Sequence, residues 1–151
     1  MPPRQLAYAD IPALVGQEIG VSDWLEVTQE RVNLFAEATG DTQWIHVDVE
    51  RATAEMGGTI AHGYLVLGLI PHFGMEILEV TGVGRFINYG TEKVRFSNMV
   101  RVGKRLRMRQ SLLTANERAG GLQIATRCTL EIEGETRPAC VADTLALIYP
   151  A

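Results

Sequence analysis

A chain of 151 residues, 46% of them hydrophobic, is long enough to bury a full core without disulfides or bound metal, and a single domain over residues 1–151 is the expectation. Its formal charge of −4, with the cationic residues dispersed, argues against nucleic acid or an anionic membrane as the main partner and favours a small ligand or another protein. Cys128 and Cys140 form no C-x-x-C pair and neighbour no histidine in sequence, which removes zinc and redox motifs and suits two reduced, buried thiols.

The opening "MPPRQLAYADIPALVGQ" has no basic end followed by an apolar run, so it does not read as a secretory signal, and a soluble cytoplasmic protein is expected. "IGVSDWLEV" has β character. Thr28 is placed to cap a helix in which Val32, Phe35, Ala36 and Thr39 recur at helical spacing, and Gly40 suits the left-handed position that closes it. Asp41 therefore stands just past a helix end, at the head of "GDTQWIHVD". Five positions separate Asp41 from His46: on a helix the side chains would point roughly 140° apart, and on a strand they would take opposite faces. Joint action requires an irregular loop.

"AHGYLVLGLIPHFGMEIL" is apolar nearly all round, the pattern of a buried helix, with a kink expected at Pro71. Its most apolar stretch, "YLVLGLI", falls far short of the ~20 residues that span a bilayer. From Gly84 onward the period becomes two. "RFINYGTEKVRF" reads as a long strand with a bulge at Gly90. In "KRLRMRQSLL" Leu106, Met108 and Leu112 share one face and Arg105, Arg107 and Arg109 the other. In "GLQIATRCTLEIE" Leu122, Ile124, Cys128, Leu130 and Ile132 point inward, with turns at Gly120-Gly121 and Gly134. "RPACVADTLALIY" is apolar on both faces and reads as a central strand. One buried helix followed by long, mostly antiparallel strands is an α+β arrangement in which the sheet must curl around the helix.

Singly, the polar residues have structural readings. Asp41 suits a turn, His46 sits between Ile45 and Val47, and Asp48 and Glu50 suit the cap of the next turn. The segment "GTIAHGYLVLG" alters this by placing His62 and Gly63 at the start of the buried helix, where the first N–H groups lack intrahelical partners and the dipole is positive. Glycine leaves that amide open to a ligand oxygen. An acid and an imidazole over a water, beside donors that stabilise a developing oxyanion, suit addition of water to a double bond conjugated to a thioester.

"GDTQWIHVD", then Ala54, then "GGTIAHGYLVLGL" resembles the hydratase signature of the MaoC-like dehydratases, the (R)-specific enoyl-CoA hydratases, and "INYGTEKVRF" is similar to a strand of bacterial members related to nodulation protein N. The likeness runs from "IPALVGQEIG" through "RVGKRLRM". It implies a hot-dog fold and a reversible (R)-specific enoyl-thioester hydratase, a hydro-lyase in fatty-acid metabolism acting on enoyl-CoA or enoyl-acyl carrier protein. No cofactor or metal is implied, since coenzyme A belongs to the substrate. Carried over, the catalytic pair falls on Asp41 and His46 and the oxyanion donor on the Gly63 N–H, with His46 as base and Asp41 as partner acid or the roles exchanged. His62, Asn88 and Trp44 are candidates for substrate binding, with a loop-positioning reading for His62 and packing readings for Asn88, Tyr89 and Trp44. The likeness also implies a homodimer whose sheets join edge to edge, with the site near the interface.

The chain departs from the pattern where members often read Asn-Pro and it has Gln43-Trp44, where prolines often follow V-R-F and it has "SNMV", and where some members place a serine and it has Pro71. These departures bear on substrate shape. His72 reads as structural, and the Arg105–Arg109 stripe as a wet face pairing with Glu131 or Glu133 rather than a phosphate site. Asp143, on a central strand, needs a partner that the sequence does not name. The rival readings are a hot-dog acyl-CoA thioesterase and a non-catalytic acyl-binding subunit.

Overall fold

Thr28 starts the first helix as its side chain demands: Oγ1 accepts from the Arg31 N–H at 3.2 Å, and helix α1 runs Gln29–Thr39. It ends at Gly40, whose φ of 81° is the left-handed conformation that a β-carbon disfavours. The structure, a computed structural model, describes residues 1–151. Beyond Gly40 the chain is less irregular than the sequence suggests. A single turn, α2 (Trp44–Val47), interrupts the loop, and α3 (Val49–Met56) follows, capped by Asp48 accepting from the Arg51 N–H at 3.1 Å. Both helices are too short to show a clear period in the sequence.

The apolar helix forms in two pieces, α4 (Gly63–Gly68) and α5 (Ile70–Ile77), broken at Leu69. Pro71 lies at the start of α5, where its missing N–H is unneeded, so the kink falls one turn's beginning ahead of it. Leu65, Val66, Leu69, Ile70, Phe73 and Ile77 enter the core. The expectation of cover nearly all round needs correction. Tyr64 is 71% and Met75 69% exposed, and with Gly68 and Pro71 they form an open stripe along the helix.

Around this helix wraps an antiparallel sheet of β2 (Glu18–Val21), β3 (Leu25–Glu26), β5 (Val83–Arg95), β6 (Arg105–Arg118), β7 (Gly121–Ile132) and β8 (Cys140–Pro150). The order is β2-β6-β7-β8-β5, with β3 also pairing β6, so β8 is internal as its two-faced apolarity requires and β5 is an edge. A register shift between Asn88 and Gly90 places the bulge where the glycine suggests it. The N-terminal β1 (Arg4–Ala7) pairs in parallel with β4 (Leu78–Thr81), and a 3₁₀ helix over Tyr8–Leu14 buries Ile11 and Leu14. No helix is long and apolar enough to cross a membrane.

The period-two readings hold in detail. Leu106, Met108, Leu112, Leu122, Ile124, Cys128, Leu130 and Ile132 are all buried. On the outer face Arg107 pairs with Glu131 at 2.6 Å, Arg109 with Glu131 at 3.2 Å and Glu18 at 3.0 Å, and Arg105 with Glu133. The arginine stripe is thus a ladder of ion pairs. Asp143 finds its partner in Arg127, directly opposite across β7 and β8, through two bonds of 2.8 and 2.9 Å. Those bonds hold the Asp143 carboxyl below the usual carboxylate range. Both cysteines are free and buried; burial raises each thiol, that of Cys140 to about 11.

Candidate active site

Three backbone segments converge on the site: the loop after α1, the one-turn α2, and the extended stretch leading into α4. The turn after α1 is set by Thr39, whose Oγ1 donates to Phe35 O at 2.7 Å and accepts from the Asp41 N–H at 3.4 Å. Asp41 is exposed; its Oδ1 accepts from the Gln43 N–H at a long 3.5 Å, a weak version of the turn bond expected for an aspartate after glycine. The carboxylate therefore retains acceptor capacity.

His46 lies on α2 and is 6% exposed. Its Nδ1 lies 2.7 Å from the Ile60 carbonyl oxygen. A carbonyl only accepts, so Nδ1 carries a proton and Nε2 is left with the lone pair in the neutral ring. The Ile60 N–H in turn donates to Ile45 O at 3.1 Å, lacing the two segments together. Gln29, the first residue of α1, reinforces the lacing: Nε2 donates to His46 O at 2.8 Å and Oε1 accepts from the buried Thr59 hydroxyl at 2.6 Å. On its other side this stretch is held by Ala61 N–H to Val100 O at 2.8 Å, Val102 N–H to Thr59 O at 3.0 Å and Arg101 to Gly58 O at 2.7 Å.

His62 precedes α4 without capping it through its side chain. The Gly63 N–H, at the first position of the helix, has no intrahelical partner. Phe96, which follows β5, packs over this glycine: a β-carbon built there would lie 3.2 Å from the ring. The Phe96 ring also meets Tyr64 edge-on at 6.0 Å.

Of the residues singled out from sequence, the structure gathers Asp41, His46 and His62, whose carboxylate oxygen and ring nitrogens lie within 4.8 Å of one another, with Gly63 next in the chain. The His46 and His62 rings are stacked at 3.8 Å and 23°. Stacked imidazoles direct their in-plane lone pairs along nearly parallel lines, so a cation about 2.0–2.1 Å from both nitrogens would leave the plane of at least one ring. Trp44 is half-buried, with the Arg51 guanidinium 4.0 Å above its ring. Asn88 is exposed on β5 opposite Ala146. His72 pairs with Glu76 one turn along α5, at 3.2 Å. Gln29 lies outside every signature segment, and Thr59 and Phe96, though inside "GTIAHGYLVLG" and "RFINYGTEKVRF", are residue types that nothing in those segments singles out for the site.

Comparison with known proteins is consistent along the chain. The family described as "MaoC like domain" matches residues 10–131. The chain is 49% identical over 141 residues to 3-hydroxyacyl-thioester dehydratase Z of Mycobacterium tuberculosis, covering 92% of this chain and 93% of that one. It is 42% identical over 151 residues to Nodulation protein N of Rhizobium leguminosarum bv. viciae, covering 96% and 92%. The unliganded R-hydratase of Pseudomonas aeruginosa superposes with a TM-score of 0.72 at 23% identity, covering 95% of this chain and 86% of that one.

Proposed function

Since the chain belongs to the MaoC-like dehydratase family and has its hot-dog fold, we propose that it is an (R)-specific enoyl-thioester hydratase, adding water reversibly to a trans-2-enoyl thioester of coenzyme A or acyl carrier protein. The observation that carries this reading is the proximity of the Asp41 carboxylate to the His46 ring, together with the hydrogen bond to Ile60 O that turns the His46 Nε2 lone pair toward a proton.

Water held between the two groups gives a proton to His46 Nε2 as its oxygen bonds to the β-carbon of the enoyl group. Charge then moves to the thioester oxygen, which the Gly63 N–H stabilises at the positive end of α4. The proton taken up by His46 passes to Asp41 within the pair and from Asp41, as the partner acid, to the α-carbon, so the pair ends with as many protons as it began. Dehydration runs the same steps in reverse. No cofactor or metal enters, because every step is a proton transfer or an addition. The protein is expected in the cytoplasm, where its free cysteines stay reduced.

A homodimer completes the proposal. Edge strand β5 exposes Phe86, Ile87 and Tyr89, and the core helix leaves its Tyr64–Met75 stripe open, surfaces that a second copy would cover, the edge by sheet-to-sheet pairing.

Crotonyl-CoA tests the reaction. Loss of the conjugated enoyl absorbance without release of free thiol is expected, whereas thiol release would instead identify a thioesterase, and no change in either a binding subunit. Asp41→Asn and His46→Asn should each lower hydration at least about 100-fold with the melting curve retained; full activity in both removes the assignment. Chiral analysis of the product checks the (R) outcome.

A further inference from the structure

His62 lies inside this site without a part in the reaction as written. At 2% exposure it is more enclosed than His46, at 6%. Its Nε2 lies 2.9 Å from the Asp41 carbonyl oxygen, and because that oxygen only accepts, Nε2 carries the proton. Nδ1 is buried with no hydrogen-bond partner. The ring stacks on His46 at 3.8 Å and meets Phe35 at 4.7 Å. A buried acceptor without a donor is destabilising, and a phenyl ring would fill the same space without one. Packing alone therefore does not account for an imidazole here.

We propose that His62 is a positioning residue for the Asp41–His46 pair, tying the Asp41 loop to the start of α4 through its Nε2–H and holding the His46 ring against its face. Three features support this. The side chain of Asp41 has only a long 3.5 Å bond to its own loop, so the backbone bond from His62 is the tie that reaches it from another element. His46 is gripped at its edge by Ile60 O and on its face by His62, which leaves its ring plane little freedom. The face of the neighbouring ring is also favourably placed for the cation that forms on His46 when water gives up its proton. The proposal rests on the hydration reading for its kinetic consequences and on hydrogen bonding alone for its structural ones.

Two substitutions separate the roles. His62→Phe keeps a ring in the stack, removes the orphan nitrogen and deletes the tie; His62→Gln keeps an amide donor. With crotonyl-CoA, His62→Phe should lose about 100-fold in kcat, the scale of a catalytic group displaced by an ångström. KM should stay within about twofold, since no substrate contact is removed. The melting temperature should be unchanged or higher, which a merely structural histidine would not give. His62→Gln should recover about tenfold of the lost kcat through its restored hydrogen bond. Long-range ¹H–¹⁵N correlation in the free protein should show His62 protonated at Nε2 and His46 at Nδ1, with the Asp41 amide resonance shifted in His62→Phe. Wild-type kcat in His62→Phe, a raised KM at unchanged kcat, or a His62 protonated at Nδ1 instead of Nε2 overturns the proposal. The resonances are read without substrate, so they decide the matter even if the hydration reading fails: an unmoved Asp41 amide in His62→Phe removes the positioning role.

Discussion

Asp41, His46 and Gly63 stand out in the sequence because each is a chemically distinctive residue in a short, ordered pattern. Gln29 and Thr59 do not, since they act by bonding a backbone carbonyl and each other across 30 positions, and no residue-type pattern encodes such a pairing. Asp143 shows the same limit in another form. That it needed a partner followed from its place on a central strand, but Arg127 faces it only in one register of β7 against β8, and a slip of one residue would send the two to opposite faces. The bond has a pH signature. Because Arg127 holds the folded-state carboxyl below its unfolded value, the stabilisation is present in full above the unfolded carboxylate range and fades as pH falls through the folded one. Asp143→Asn should therefore lower the urea midpoint at neutral pH, with the gap from wild type closing under acid conditions; a gap constant with pH would show that the ion pair contributes nothing.

Elements with long, regular periods were legible: α1 with both caps, the broken apolar helix, and the strands from β5 to β8. Short elements were not. The turn α2 offers four residues, too few for a helical repeat to register, and the parallel pairing of β1 with β4 joins segments more than seventy residues apart. The core's tightness is likewise a property of assembled elements. At Gly20, where β2 crosses α5, an added β-carbon would lie 2.9 Å from Ile77 Cγ2, an atom on a stiff β-branched side chain with no room to retreat. Gly20→Ala should cost about 1–3 kcal/mol of stability, read from denaturant midpoints, although Gly20 has no left-handed backbone to explain its choice. A neutral result would mean that β2 can slide away from the helix.

For the whole molecule, the surface left open is what a single sequence could not delimit, because its alternating strand and all-apolar helix read as if one chain covered them. The helix stripe and the β5 edge are both left open by one chain, and a dimer that covers the stripe predicts that Met75→Lys weakens self-association. Sedimentation should show the wild type as a dimer and the variant shifted toward monomer with reduced turnover; a monomeric wild type at assay concentrations would remove the homodimer. Concealment has the opposite consequence for the two sulfur atoms. With Cys128 and Cys140 enclosed and their thiols raised, that of Cys140 to about 11, little nucleophilic thiolate exists in the native state. A chromogenic disulfide reagent added to the turnover assay would then report coenzyme A alone, and the slow colour from protein without substrate would count its excursions out of the folded state.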